Sequence, residues 1–126
     1  MQQQRGSVFF HSLLRQKAHT LTPAEETLLA KAAELGGAPQ HIFTMLNDAD
    51  ISFPAIKTAE GGELELTKGR YITFLESPDR DVRKQAFENL YSVYHSQKNT
   101  IAAAYASSVK SDVFFAEARK YDSAIE

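Results

Sequence analysis

Residues that commonly carry chemistry are sparse in this sequence. The chain has four histidines and no cysteine among its 126 residues. Two imidazoles bind zinc from one helical face when they are spaced as in His-Glu-x-x-His, and no two histidines here have that spacing. The lack of thiols excludes disulfides, thiolate metal ligands and cysteine nucleophiles. We therefore interpret the histidines as surface or boundary residues; they are His11, His19, His41 and His95.

Other sequence patterns of catalysis are missing as well. The glycine pairs Gly36-Gly37 and Gly61-Gly62 lack the further glycine or lysine that cradles a phosphate. No Gly-x-Ser-x-Gly sequence marks a nucleophilic serine. Glu25 and Glu26 are adjacent, so on a helix their carboxylates point in different directions and do not form an acid–base pair. The sequence therefore holds no visible catalytic apparatus of its own.

The composition is that of an ordinary globular protein. Hydrophobic residues make up 43% of the chain and charged residues 24%, and the formal net charge is −2. Nucleic acids and anionic membranes select basic surfaces, so this balance argues against both as partners. No apolar run approaches the roughly 20 residues that span a bilayer, and the first residues are polar. We therefore expect a cytoplasmic protein with a single domain over 1–126.

The first half of the chain must consist of short elements, because every glycine and proline lies before residue 79. We predict a helix over 7–17. Thr22-Pro23-Ala24-Glu25 is a capping box that opens a helix to about Leu35, with Gly36 as its left-handed stop. Pro39 begins a short helix that ends at 47–50. The stripe predicted to face the core comprises Leu28, Leu29, Ala32, Ala33 and Leu35.

The middle of the chain has the period of β-structure. Apolar residues alternate with other residues over 51–56 and again over 63–66, and a Gly-containing loop lies between the two runs. This pattern predicts a β-hairpin near 51–67. Pro54 has no N–H to donate, so the first strand is predicted to be an edge strand or bulged.

The second half of the chain is predicted to be helical. Thr67 caps a short helix, and Ser77 followed by Pro78 opens a long helix over 78–107 that bends near Asn99. A last helix follows over 111–120. The fold class is therefore mainly α: a helical bundle-like lobe with one long helix in the C-terminal half and a small β-hairpin. Four aromatic residues at helical spacing are predicted to lie in the core, namely Phe87, Tyr91, Tyr94 and Tyr105.

Five segments together resemble oligoendopeptidase F, a zinc metallopeptidase of the thimet oligopeptidase group. One segment alone is unspecific, whereas five in the same order from residue 19 to residue 126 are a strong signal. The segments are His19-Thr20-Leu21 with Glu25-Glu26 and Leu28-Leu29-Ala30; Met45-Leu46-Asn47-Asp48-Ala49-Asp50 with Phe53-Pro54; Ser77-Pro78-Asp79-Arg80 with Val82-Arg83 and Ala86-Phe87; Asn99-Thr100-Ile101-Ala102; and Lys110-Ser111-Asp112-Val113-Phe114 with Ala116, Arg119, Tyr121 and Ser123.

The resemblance implies that this chain is the non-catalytic N-terminal lobe of such an enzyme and forms one wall of a deep substrate cleft. Members of the family hold zinc through His-Glu-x-x-His and a more distant glutamate, all downstream of this lobe. None of these residues occurs here, so no catalytic or metal residue is assigned and zinc is expected only in the full-length enzyme. The implied partners are the remainder of the peptidase and, for the whole enzyme, short peptides.

Two sites are predicted within this framework. The edge strand with Ile51, Phe53 and Ala55 is a candidate for pairing with an extended peptide; the alternative is a hairpin that only packs on the helices or pairs with another strand. Adjacent helical residues cannot both face one small core, so an interdomain surface is the second hypothesis, with Phe114, Phe115 and Tyr121 as its residues.

An alternative function also follows from the second surface. A free-standing helical interaction module without enzymatic activity would bind its partner over those three aromatic residues. The exposed apolar area of such a chain also predicts self-association. Peptide hydrolysis by the chain itself is a further alternative, for which we expect no turnover.

Overall fold

The computed structural model describes residues 2–125, and side-chain surroundings within residues 10–125. The chain is mainly helical with one small antiparallel hairpin, which confirms the predicted fold class. None of the helices in the described part is long and apolar enough to cross a membrane. The elements in chain order are α1 Gln2–Lys17, α2 Pro23–Gly36, α3 Ala38–Met45, a π-helical turn Leu46–Asp50, β1 Ile56–Lys57, β2 Glu63–Leu64, α4 Lys68–Leu75, α5 Arg80–Ser96 and α6 Lys98–Ala118.

The chain divides into two compact units. The first, called unit 1, comprises the residues up to His41 and those from Ala104 onwards, and the second, called unit 2, comprises Ile42–Ala103. Unit 1 joins segments that are far apart in sequence, as the contact of Gly36 with Phe115 shows, whereas unit 2 is one continuous segment in which α5 contacts α4 and β1. The single domain over 1–126 therefore stays a prediction.

The hydrophobic core of unit 2 forms where the hairpin packs on α5. Ile56 of β1 is completely buried, and its partner across the two-stranded sheet, Leu64, is 39% exposed. Buried positions on α5 recur every four residues, as expected for a helix with one face in the core. The core residues are Ile56, Leu66, Val82, Ala86 and Leu90, with Phe53, Tyr71, Phe74, Leu75 and Tyr94 packed around them.

Fewer of the described hydrophobic side chains are buried in unit 1 than in unit 2. Among its described side chains, Leu29 is the buried hydrophobic residue, whereas Leu28 and Leu35 are 68% and 77% exposed. The prediction that these two leucines face the core is therefore wrong. The core prediction is also wrong for Phe87, Tyr91 and Tyr105, which are exposed, while Tyr94 is half-buried.

The prediction for the start of α2 is confirmed, and the prediction for its end is wrong. The Thr22 hydroxyl accepts from the Glu25 N–H, and the Glu25 carboxylate accepts from the Thr22 N–H, so the capping box is confirmed. Gly36 is not a left-handed stop, because it is the last residue of α2 and Gly37 follows with φ −78°. A Cβ at Gly36 would lie 2.7 Å from Ser111 Oγ and 2.8 Å from Phe115 Cε2, so the glycine allows α6 to approach closely.

The helices of the C-terminal half differ from the prediction at both boundaries. The N-cap of α5 is Asp79, whose carboxylate accepts from the Asp81 N–H at 2.8 Å, rather than Ser77. The helix stops at Gln97, whose N–H is shared between the carbonyls of Val93 and Tyr94 in a tightened last turn. The predicted break between residues 107 and 111 is absent, since α6 runs through it. The break at Gln97 lies two residues before the predicted bend near Asn99, although no glycine or proline marks it.

The middle of the chain contains less strand than its alternating pattern predicts. The predicted strand over 51–56 is wrong for residues 51–55, because β1 begins only at Ile56. The helix that was predicted to end at 47–50 continues there as the π-helical turn, closed by a bond from the Ile51 N–H to the Leu46 carbonyl. The hairpin loop needs its glycine at residue 61, where φ is +83°. Thr67 caps α4 as predicted.

Candidate functional site

The segment that precedes the hairpin is held along α5 by side-chain amides. The Gln85 carboxamide makes two bonds to one residue: its Oε1 accepts from the Lys57 N–H at 2.8 Å and its Nε2 donates to the Lys57 carbonyl at 2.9 Å. One turn further along the same helical face, Asn89 Nδ2 donates to the carbonyls of Pro54 and Ala55 at 3.2 and 3.3 Å. Gln85 therefore pairs with the backbone of Lys57 in the way that a neighbouring strand would.

An aromatic side chain completes this arrangement at the other end. The Tyr94 ring packs on Phe53 with 5.9 Å between ring centroids, and its hydroxyl donates to Asn47 Oδ1 at 2.9 Å. At about 1.5 Å per residue α5 rises about 13 Å from Gln85 to Tyr94, and at about 3.3 Å per residue an extended chain covers about 13 Å from Phe53 to Lys57. The matching lengths explain how three helix positions meet successive parts of the segment.

The π-helical turn before the segment has its own network. Lys68 Nζ donates to the Asn47 carbonyl at 2.9 Å and to Asp48 Oδ1 at 2.7 Å. Asn47 Nδ2 donates to the same carboxylate at 2.8 Å. The hydrogen bond from Lys68, together with its positive charge, lowers the pKa of Asp48. These bonds fix the point from which the segment starts, since Ile51 follows the turn directly.

The predicted edge strand is therefore placed differently from the expectation. Ile51, Phe53 and Ala55 are half-buried residues outside the strands, and the exposed side chains between them are Ser52 and Pro54. The backbone edge at residues 54, 55 and 57 already bonds to α5. Sequence reasoning missed Gln85 and Asn89. Their signal was two amides four residues apart, each directly before a buried position of α5.

A second cluster lies in unit 1 at the C-terminal end of α6. The rings of His19 and Tyr121 stack with centroids 3.8 Å apart and planes 5° apart, and His19 Nδ1 lies 3.0 Å from the Arg119 carbonyl oxygen. That contact requires the proton on Nδ1, since a carbonyl only accepts. Arg119 Nη1 donates to Glu26 Oε1 at 2.8 Å, and the same oxygen accepts from the Leu21 N–H.

The predicted interdomain residues are exposed to different degrees. Tyr121 stacks on His19, and Phe115 is half-buried with its ring beside Gly36. Phe114 is 52% exposed and makes an edge-to-face contact with Phe115 at 5.3 Å between centroids. Phe114 is therefore the most exposed of the three, while the half-buried Phe115 and Tyr121 line one open cavity, and the interdomain surface stays a prediction.

The Glu26 carboxylate makes the second cluster sensitive to acid. The hydrogen bond from the Leu21 N–H, followed by that from Arg119, lowers the pKa of Glu26 from its ordinary value of 4.5. A group with a lowered folded-state pKa stabilises the fold above its ordinary pKa, and this stabilisation is lost as pH falls through the folded pKa. We expect Glu26→Gln to lower the melting temperature at pH 7, and the difference from the unmodified chain to narrow as pH falls below about 4.

Calorimetry or circular dichroism at a series of pH values measures this effect. Glu34→Gln is the matched control, because Glu34 is an exposed glutamate of the same helix. A difference between Glu26→Gln and the unmodified chain that stays constant from pH 7 to acid would contradict the assigned role of the carboxylate.

Zinc does not fit the residues that the structure describes. Within residues 2–125 no group of three or more histidine, cysteine, aspartate or glutamate side chains converges as a metal site. His19 is engaged with Tyr121 and the Arg119 carbonyl, and the other histidines are exposed. No residue of the described part is therefore assigned to a metal.

Comparison with known proteins shows which family of proteins this chain is similar to. The family model described as Oligopeptidase F matches residues 5–53. Oligopeptidase PepF of Bacillus subtilis is 45% identical over 114 residues, which are 90% of this chain and 17% of that protein. Group B oligopeptidase PepB of Streptococcus agalactiae is 42% identical over 121 residues, 96% of this chain and 20% of that protein.

Solved structures agree with the sequence matches. The crystal structure of oligoendopeptidase-F from Enterococcus faecium superposes with a TM-score of 0.84 at 39% identity, covering 94% of this chain and 23% of that one. The matches identify this chain as a relative of oligopeptidase F that corresponds to a short N-terminal part of the larger proteins. It spans about a fifth of the length of the relatives named above.

Proposed function

We propose that this chain works as the non-catalytic N-terminal part of a cytoplasmic, zinc-dependent oligopeptidase that hydrolyses short peptides. The observation that supports the proposal is the continuous similarity over 90% of the chain to a protein named oligopeptidase, of which it spans 17%. Because zinc does not fit the described residues, the metal and the groups that act with it belong to the rest of the enzyme. In this proposal the chain forms part of the substrate cleft and takes no part in a chemical step.

The part of the chain that we assign to the substrate cleft is the segment held along α5. We call residues 52–57 the ridge. It is fixed along α5, since its backbone bonds to Gln85 and Asn89 and its Phe53 ring packs on Tyr94. Three of the four bonds from the two amides are solvent-exposed, and exposed hydrogen bonds add little to stability compared with the position that they define. We infer that this ridge lines the substrate cleft and meets peptides through the exposed side of Ser52 and Pro54.

The alternative of a free-standing interaction module is less well supported. It required a shared surface of Phe114, Phe115 and Tyr121, and two of these residues are used inside unit 1. Pairing of a peptide with the outer edge of residues 51–55 is also less well supported, because α5 occupies part of that edge.

A chimera tests the proposed function. The matched part of the Bacillus subtilis oligopeptidase is replaced by this chain, and cleavage of short quenched fluorescent peptides is measured with zinc and after chelation. We expect the chimera to cleave, chelation to stop cleavage, and the 126-residue chain with zinc to show no turnover. A folded but inactive chimera, or turnover by the chain itself, contradicts the proposal.

The role of the ridge is tested in the same chimera. Ser52→Trp adds a large side chain to the exposed face of the segment without touching the core, and we expect kcat/KM for peptides to fall by about tenfold, corresponding to about 1.4 kcal/mol. Glu60→Trp adds the same group to the exposed hairpin loop as the control. Equal kcat/KM values for the two variants would place the ridge outside the cleft while leaving the peptidase assignment intact.

A further inference from the structure

The part of α6 in unit 1 carries an apolar stripe that unit 1 does not cover. Tyr105, Val109 and Val113 are spaced by four residues, so they lie along one side of the helix, and they are 73%, 43% and 41% exposed. We call these three residues the α6 stripe. Phe114 is one residue further on and therefore projects from a different side of the helix.

A second exposed apolar face in unit 1 has the same character. Leu28 and Leu35 of α2 are seven residues apart, which places them on one face of that helix, and both are largely exposed. Leu29 is the buried hydrophobic residue among the described side chains of unit 1, whereas unit 2 has five such residues in its core. An apolar helix face that its own unit leaves exposed marks a surface that another element covers.

We propose that the α6 stripe is a docking surface for the remainder of the oligopeptidase, within the same polypeptide. The inference rests on the proposed function and specifies the surface by which this chain contacts the remainder of the oligopeptidase. Its support is that the chain spans only 17% and 20% of two curated relatives, so most of their length is available to cover the stripe.

A second copy of this chain fits the stripe less well. Three side chains along two turns of helix extend over about 12 Å. A stable interface buries about 800 Å² on each partner. The stripe alone is too short for that area, so its occupant must cover further surface as well, and the remainder of the relatives is several times longer than this chain.

The experiment compares one substitution in two contexts. Val109→Lys replaces the middle residue of the stripe by a long charged side chain, and Ser107→Lys makes the same addition at an exposed polar position of α6 as the matched control. In the 126-residue chain both variants are expected to keep the melting temperature, because lysine is the better helix former and its stem lies along the surface. In the chimera we expect Val109→Lys to lower it by about 2 °C or more.

Each result bears on the inference. A lower melting temperature for Val109→Lys in the chimera, with no change for Ser107→Lys or in the isolated chain, supports the docking surface. A melting temperature that is unchanged by Val109→Lys in the chimera overturns it, and so does a loss of equal size in the isolated chain. Self-association of the isolated chain that Val109→Lys abolishes, without an effect on the chimera, assigns the stripe to a second copy and also overturns it. Peptide cleavage by the unmodified chimera separates these outcomes from failure of the proposed function.

Discussion

Truncation of Ile56 is expected to cost about 3 kcal/mol of the free energy of unfolding, within the range of about 2–5 kcal/mol for large-to-alanine changes in cores. Ile56 is completely buried at the point where the hairpin packs on α5. Ile56→Ala removes three carbon atoms from this site, and the α5 side chains that surround it, Ala86 and Leu90, are held by the helix and cannot close the space fully. Urea denaturation followed by circular dichroism measures the change.

Leu64 provides the matched control for Ile56. The two residues face each other across the sheet, and Leu64 is 39% exposed. Leu64→Ala removes a similar side chain from the same hairpin, so an effect on hairpin formation alone would be shared by both variants. We expect a loss of about 1 kcal/mol for Leu64→Ala, since the side chain is only partly buried and its removal opens no closed cavity. Equal losses would show that the core is not organised around β1.

Enlargement of Gly36 is expected to have the second-largest effect, a loss of about 2 kcal/mol, as is typical of overpacking. The first added carbon of Gly36→Val would lie 2.7 Å from Ser111 Oγ and 2.8 Å from the Phe115 ring. Ser111 can rotate away, but the ring is part of the contact between α2 and α6, so α6 must shift.

The neighbouring glycine provides the control for Gly36. The nearest atoms to a Cβ at Gly37 lie at 3.6 Å and 3.9 Å, which are ordinary contact distances. Gly37→Val in the same denaturation experiment is therefore expected to lose clearly less stability than Gly36→Val. A larger loss for Gly37→Val would mean that the backbone at the end of α2, and not the approach of α6, requires glycine.

The features that were predictable from sequence depend on neighbours in the chain. The capping box at Thr22 and the cap at Thr67 were predicted correctly, because each involves residues within three positions. The start of α5 was two residues off. Arg83 donates to the carbonyls of Ser77 and Pro78, which holds these two residues outside the helix and leaves the capping role to Asp79.

The features that the sequence did not reveal depend on distant residues. Leu28 and Leu35 have the spacing of a core stripe, yet nothing in the spacing says whether the protein that covers them is this unit or another. The role of Gly36 depends on Phe115, which is far away in the sequence. The alternation at 51–55 predicted a strand, but the backbone of Pro54 and Ala55 bonds to a side chain of α5 instead of a neighbouring strand.

The residues that carried the family resemblance turn out to form tertiary contacts. His19 meets Tyr121, Glu26 meets Arg119, and Asn47 meets Tyr94. The residues that resemble the peptidase family therefore include several that stabilise this part of the fold. The ridge depends on Gln85 and Asn89, which lie outside the resembling segments.

The rise of α5 from Gln85 to Tyr94 equals the length of the chain from Phe53 to Lys57, so the number of residues in the ridge is fixed by the helix. One residue of extended chain advances about 3.3 Å, and one residue of helix about 1.5 Å. Loss of a residue between Phe53 and Lys57 would shift Lys57 out of reach of Gln85 while Phe53 stays on Tyr94. Exposed side chains of the ridge can therefore be exchanged without moving its backbone, but insertions and deletions should collect in the loop around Gly61 and be excluded from the ridge.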